Sequence, residues 1–261
     1  MRKQLPSTFT KKSLPKDSRS RLAPHPYASA GVLAGTVFSV QRRGVLTLFS
    51  PIDVLTPDNV APTQPVPIIL QNPKEPRREL SLVRWGLVPS WAHDSSGAAR
   101  MINARSETAA TKPAVRDALK FRRCLIPADG FYEWQKTGKT KQPYCFEVNE
   151  GKLFAFAGIW DRWKDASGET VETISILTTT PSVVTSAVHD RMPVILDRDN
   201  YDLWLDPGMR DVTAVSELLK PCNARLMRCY PVSTRINHVA NDDEECSRPV
   251  EIDEGQNRLF V

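Results

Sequence analysis

Asn103 and Arg105 stand two positions apart in Ile102-Asn103-Ala104-Arg105-Ser106-Glu107. In an extended segment the side-chain period of two puts both on one face. An amide beside a guanidinium suits a sugar oxygen and a phosphate, because Arg offers a rigid fork of donors to a planar anion. The same pair is also an ordinary turn-capping Asn next to a surface Arg. Glu133 lies in Ile126-Pro127-Ala128-Asp129-Gly130-Phe131-Tyr132-Glu133-Trp134. Asp-Gly is a turn signal, after which a strand alternates Phe131 and Glu133 against Tyr132 and Trp134. A carboxylate flanked by aromatics has its pKa raised by desolvation, which suits general acid/base work near neutral pH. A surface glutamate on a strand is the plain alternative. His189, in Val188-His189-Asp190-Arg191-Met192-Pro193-Val194-Ile195-Leu196, is one of only four histidines. Its ordinary pKa lies near neutrality, so it moves protons readily, although a lone histidine is more often structural. Trp91 ends Trp85-Gly86-Leu87-Val88-Pro89-Ser90-Trp91. Aromatics around a Gly/Pro turn usually pack cores; a Trp behind a Pro-Ser turn can also stand on a loop and offer a face on which a base stacks.

Something must hold these residues. Runs of β-forming character recur at Val66–Leu70, Glu79–Trp85, Arg122–Ile126, Tyr144–Val148, Leu153–Trp160, Val171–Thr178 and Leu226–Val232, most of them bounded by turn residues. Helical signals are fewer. Thr111 with Pro113 opens one that runs to about Lys120, and Pro181–Val188, Asp199–Leu205 and Asp211–Leu219 read as three more. Strands outnumber helices without a regular βαβ alternation. That predicts an α+β fold in one domain, a mainly antiparallel and barrel-like sheet core flanked by a few helices.

The sequence has 261 residues, 41% hydrophobic and 25% charged, with a net charge of +5. It can bury a core, and it contains no apolar run of the roughly 18 residues that a membrane helix needs. The mild basic excess is compatible with a polyanionic partner and equally with plain solubility. Five cysteines at wide spacings, with no Cys-x-x-Cys pair, point away from a disulfide framework and a zinc site and toward a reducing, cytoplasmic compartment. Residues 1–53 read as an atypical basic leader, poorly ordered and open to an organellar role, with Ala28–Val40 a strand or unstructured. Residues 54–250 read as the folded domain and 251–261 as a tail.

The series WGLVPSW, INARSET, RRCLIPADGFYEW, QPY, FAFAGIWDRW, TTTPS, VHDRMPVIL and PVSTRINHVAND, in that order, resembles the SOS-response-associated peptidase family of abasic-site processing proteins. The resemblance runs from Asn59-Val60-Ala61-Pro62-Thr63-Gln64 to about Val250. It implies a sheet-rich α+β fold with a positive groove for single-stranded DNA, and covalent capture of apurinic or apyrimidinic sites in the DNA damage response. The expected partner is single-stranded DNA with abasic sites, met by a monomer with no cofactor, metal or membrane, which joins the nucleoid when bound. Carried over by motif, Asn103 orients an amino-terminal group and the sugar, and Glu133 acts as acid/base in imine formation and self-release of the N-terminal segment. His189 protonates the opened sugar oxygen. Arg105 binds a phosphate, Trp91 and Trp134 shape the groove where DNA turns, and Asn59 belongs to the DNA-side loop that supports the site.

One part of the pattern departs. The family's nucleophile is a cysteine exposed at the N-terminus after Met removal, whose amine and thiol close a thiazolidine on the abasic aldehyde. This sequence begins Met1-Arg2-Lys3, and its first cysteine is Cys124. The expectation is that the chain as written forms no stable thiazolidine, either as a degenerate paralogue or because the sequence upstream of about Val54 is not authentic. A non-catalytic single-strand-binding module that shields damaged sites is the alternative from another class. A peptidase acting on other proteins is a third, which lacks a Ser/His/Asp or metal-ligand arrangement.

Overall fold

Continuous apolar runs and β-branched residues place the strands, and the residues between runs bend the chain. The computed structural model describes residues 37–39 as backbone, then 59–75, 77–138 and 140–252. The leader over 1–53 and the tail over 251–261 otherwise lie outside the described residues, save 251–252. The strands are β1 (Val37–Ser39), β2 (Pro65–Gln71), β3 (Arg78–Trp85), β4 (Asn103–Arg105), β5 (Arg123–Ala128) and β6 (Gly130–Thr137). They continue with β7 (Thr140–Val148), β8 (Phe154–Lys164), β9 (Thr170–Thr179), β10 (Met192–Pro193), β11 (Ile195–Leu196) and β12 (Met227–Pro231). Four short helices, α1 (Ser106–Ala109), α2 (Arg116–Phe121), α3 (Tyr201–Leu205) and α4 (Val212–Ser216), lie among them.

The larger sheet runs β10-β9-β3-β2-β5-β8-β11, and a further pairing of β8 with β9 closes its five central strands into a ring. Most pairings are antiparallel, while β3 and β4 both run parallel to β9. The fold is α+β, as the strand-rich sequence predicts. Where both faces of the ring are covered, as along β5 and the first part of β8, the strand is apolar on nearly successive residues rather than alternate ones; all six residues of β5 are buried. One face, with Val66, Ile68, Phe156, Ile174 and Ile176, meets the smaller sheet through Phe131 and Phe146. The other, with Ile69, Leu125, Ala157 and Leu177, meets the helices through Leu119, Trp204 and Val215. Phe131 stacks on Phe146 at 4.9 Å and meets Phe156 edge-on at 6.1 Å, so the two sheets interlock through aromatic contacts. Gly158 permits the tight β5–β8 approach, since a Cβ there would stand 2.7 Å from Cys124 Sγ and Ile126 Cδ1.

The smaller sheet has the order β1-β6-β7-β12. The expected Asp129-Gly130 turn is a corner: β5 ends at Ala128, β6 begins at Gly130, and the chain passes from the ring into the second sheet across one buried residue. Asp-Gly reverses a chain only where the flanking runs pair with each other. Here β5 pairs with β8, and β6 turns back on β7 at Thr137–Thr140.

The helices are shorter than their sequence signals. Val115, with φ −133°, keeps the turn around Pro113 out of α2. Of Pro181–Val188, only a 3-10 turn over Thr185–Ala187 forms, because Val183, Val184, Thr185 and Val188 are β-branched and resist helix. Asp211 does cap α4, accepting from the amides of Thr213 and Ala214.

Arg123 ties α2 and α3 to the ring. Its buried guanidinium donates to the carbonyls of Leu119, Lys120, Trp204, Asp206 and Met209 at 2.7–3.0 Å. Burial pulls its pKa below the usual guanidinium value. Five carbonyls in fixed directions match the planar donor fork of Arg and not the ammonium of Lys. Arg123→Met is therefore expected to cost about 3 kcal/mol, the scale of an unsatisfied buried polar network. Arg123→Lys is expected to recover less than half of that. Urea midpoints of the two variants, at unchanged m-value, check both.

Candidate active site

The site forms where three stretches of chain meet around the C-terminal end of β9. Parallel pairing sets Asn103 opposite Ile176 and Arg105 opposite Thr178 on β9. On β9's other edge, Pro193 of β10 pairs with the same Thr178. Thr178 is thus flanked by the segment that carries Asn103 and Arg105 and by the segment that follows His189. Arg191 fastens the two. Its Nη1 and Nη2 donate to Glu107 Oε1 and Oε2 at 3.1 and 2.9 Å, and Nη2 also donates to the Thr178 carbonyl at 2.7 Å. Desolvation raises the Glu107 pKa, but the Arg191 hydrogen bond and the charges of Arg191 and Arg105 outweigh it, holding the carboxyl below its ordinary value.

The third stretch comes from the smaller sheet. Glu133 shares a face of β6 with Phe131, the face that packs on the ring, and it lies opposite Tyr144 of β7. It is 6% exposed. Gln135, two residues on and on the same face, donates from Nε2 to the Ala187 carbonyl at 2.9 Å and accepts from the Tyr144 hydroxyl at 3.3 Å. Desolvation raises the Tyr144 pKa, so this phenol stays a donor at neutral pH. Gln135 joins the Glu133 strand to the 3-10 turn that ends two residues before His189.

His189 is held by its backbone and one ring nitrogen. Its amide donates to the Thr185 carbonyl at 2.9 Å, and its Nδ1 lies 3.1 Å from the Arg191 amide nitrogen. The Arg191 carbonyl lies 3.2 Å from the same Nδ1, so the tautomer decides whether that nitrogen accepts from the Arg191 amide or donates to its carbonyl. Asp190 Oδ1 lies 3.3 Å from the same nitrogen.

Asn103 is half-buried, and its Oδ1 is buried with no hydrogen-bond partner among the described residues. A buried acceptor without a donor is costly, and Asn59 Oδ1 is another among the described residues; what Asn103 Oδ1 lacks is an N–H or O–H. The backbone before it is fixed by the indole of Trp85, which donates to the Ile102 carbonyl at 2.8 Å. Gly86 allows the close passage beside this segment: with φ +129°, it would set a Cβ 3.0 Å from the Ala98 carbonyl oxygen. Arg105 is exposed. Trp91 is 64% exposed, the most open aromatic in the described chain.

Trp134 and Asn59 are buried against the 236–241 loop. Trp134 points to the face of β6 away from Glu133, 8% exposed among Tyr132, Cys145, Val232, Ile236 and Cys246. Its indole N–H donates to Asn237 Oδ1 at 2.7 Å. Strand alternation separates it from the glutamate beside it in sequence, so it neither walls Glu133 nor offers a stacking face. Asn59 is fully buried, with Nδ2 directed at the carbonyls of Ile236, His238 and Asn241. Both residues seat the 236–241 loop. Arg191, Glu107 and Gln135 had no role assigned from sequence. Gln135 was findable from its period-two relation to Glu133; the Glu107–Arg191 pairing, across 84 positions, left no local signal.

The five cysteines carry no disulfide. Desolvation raises every thiol: Cys222 to about 11, Cys145 and Cys229 to about 12, and Cys124 and Cys246 also upward. None is a thiolate at neutral pH. Among the described residues no group of three or more His, Cys, Asp or Glu side chains is placed to hold a metal ion, and no helix is long and apolar enough to cross a membrane.

Comparison with known proteins converges on one family. The model of the SOS response associated peptidase family matches residues 50–239. The abasic site processing protein YoqW of Bacillus subtilis is 42% identical over 188 residues, spanning 72% of this chain and 83% of YoqW. The abasic site processing protein HMCES of Gallus gallus is 34% identical over 224 residues, 74% of this chain and 66% of the relative. A crystal structure of a protein from Bacteroides thetaiotaomicron aligns with a TM-score of 0.67 at 29% identity, covering 81% of this chain and 92% of that one. The chain belongs to the SOS response associated peptidase family.

Proposed function

We propose that this protein processes abasic sites in single-stranded DNA through an imine to the ring-opened sugar. The support is the meeting of the Asn103, Glu133 and His189 segments at the end of β9, with a buried Asn103 oxygen that lacks a donor. The relatives YoqW and HMCES, both abasic site processing proteins, favour the same substrate. An opened abasic site presents an aldehyde. A neutral primary amine of the chain, that of Met1 or of a lysine such as Lys3, adds to its carbon to give a carbinolamine, and the hydroxyl leaves as water once an acid supplies a proton. In this reading Asn103 Oδ1 accepts from the amine or a sugar hydroxyl. Glu133 relays the proton that expels water, and His189 gives a ring proton to the opened sugar oxygen. Arg105 holds a phosphate. The imine then hydrolyses, or it eliminates the 3′ phosphate as a lyase does.

The five cysteines from Cys124 onward are internal, and burial raises the pKa of each thiol, so none is a ready nucleophile at neutral pH. That observation also favours the second reading, a single-strand-binding module that shields the lesion without bonding to it. The amine reading expects a borohydride-trapped product with abasic single strands. Glu133→Gln is expected to lower its yield about a hundredfold, the low end of acid/base contributions, with DNA affinity kept within about threefold. Blocking the cysteines with maleimide is expected to leave the yield unchanged. Tight binding with no trapped product selects the shielding module instead.

Binding itself has a salt signature. With about four phosphates neutralised on a single strand, log affinity is expected to fall against log salt with a slope near −3. Arg105→Ala is expected to weaken all sequences alike by roughly 1 kcal/mol and to make the slope shallower by nearly one unit. Fluorescence anisotropy at several salt concentrations measures both, and absence of binding at low salt contradicts the proposal.

A further inference from the structure

Trp91 is exposed, yet the loop that carries it is tied down by three side chains. Three side chains of β8 and β9 grip it at every second residue. Thr173 Oγ1 accepts from the Val88 amide at 2.9 Å, Asp161 Oδ2 accepts from the Ser90 amide at 3.0 Å, and the Trp163 indole donates to the Ala92 carbonyl at 2.7 Å. Asp161 and Thr173 are register partners across the β8–β9 pair, and Trp163 follows Asp161 by two. The anchors therefore share one face of the strand pair, and their period of two matches the spacing of the loop residues they hold. The loop closes on itself where the Ala92 amide donates to the Pro89 carbonyl at 2.9 Å.

Asp161 is the costly member of this set. It is 5% exposed at the end of the apolar run Phe154–Trp160, where a carboxylate persists only if paired and hydrogen-bonded. Its other oxygen accepts from the Arg162 amide at 2.7 Å and faces Arg122 Nε at 3.1 Å. Its one bond outside its own strand neighbourhood and Arg122 reaches the residue next to Trp91. The pairing with Arg122, whose side chain is 27% exposed, does little for stability that apolar packing could not do; the acceptor for the Ser90 amide is what an apolar residue could not replace.

We propose that Asp161 is a positioning residue that presents the Trp91 indole as a preformed stacking platform for a base of single-stranded DNA. The inference rests on the single-strand-binding reading above and deepens it. Stacking on an aromatic face is tolerant of sequence, as an enzyme directed at a missing base requires of its flanking contacts. A loop already fixed loses no further freedom on binding, whereas a loose one must be ordered at the expense of affinity.

The sign of the effect separates positioning from charge. Removing a carboxylate from the neighbourhood of a polyanion strengthens binding by electrostatics alone; loss of positioning weakens it. The test is a double-mutant cycle on the full chain, read by anisotropy with a short abasic single strand and accompanied by melting midpoints. Trp91→Ala is expected to weaken binding about tenfold, and Asp161→Ala about three- to fivefold with an unchanged salt slope. Asp161→Asn keeps an acceptor for the Ser90 amide and is expected to bind within twofold of the parent. The double variant Asp161→Ala/Trp91→Ala is expected to be no weaker than Trp91→Ala. Trp163→Phe, which keeps the ring and removes the bond to Ala92, serves if Asp161→Ala does not fold, and is expected to weaken binding in the same direction and only when Trp91 is present. Parental affinity in both Asp161→Ala and Trp163→Phe overturns the proposal, as does a loss that persists in full without Trp91. A parent that fails to bind single strands, or a Trp91→Ala that binds as the parent does, instead removes the reading on which the proposal rests.

Discussion

The guanidinium of Arg191 is the point on which the site depends. It reaches α1 through both oxygens of Glu107 and β9 through the carbonyl of Thr178, while its own backbone holds Nδ1 of His189. A single arginine thereby sets the distance between the strand that carries Asn103 and Arg105 and the turn that carries His189. Glu107 is half-exposed, so screening leaves the pair modest worth as a source of stability. Its value is geometric: a two-pronged planar contact permits one orientation, where a lysine in the same place would permit many.

Glu133 arrives by a separate route. The corner at Asp129 lifts β6 out of the ring, strand alternation turns Glu133 toward the ring with Phe131, and Gln135 locks that strand to Ala187. The site is therefore assembled from two sheets by polar contacts between side chains and backbone, with the aromatic stack of Phe131, Phe146 and Phe156 beneath it as the rigid floor. Groups on different elements keep different environments, as the proposed acid/base division requires: Glu133 is 6% exposed and the His189 side chain 36%.

Much of this was legible in the residues. β5 and β8 announce themselves as apolar runs because both of their faces are covered, and seven runs marked from sequence coincide with β2, β3, β5, β7, β8, β9 and β12 to within a few residues. Local signals failed where a tertiary contact decides. Asp129-Gly130 has the wording of a hairpin, yet its flanking strands find other partners. Pro181–Val188 has a helix start, yet its β-branched residues allow a single turn. The alternation that groups Glu133 with Phe131 also sends Trp134 to the opposite face, so adjacency in a motif was a poor guide to adjacency in space. Asp161 and Arg191 were hardest to see, since each works through a partner more than 70 positions away.

The central claim is that the Asn103, Glu133 and His189 segments make one pocket for a sugar without a base. The most direct measurement is a crystal structure of the protein with a short single-stranded oligonucleotide carrying a tetrahydrofuran abasic analogue. The account predicts the analogue ring between these three side chains, a hydrogen bond to Asn103 Oδ1 from the group that this oxygen lacks, and a flanking base on Trp91. An oligonucleotide bound across another face, with the three side chains left in contact with solvent alone, would contradict it.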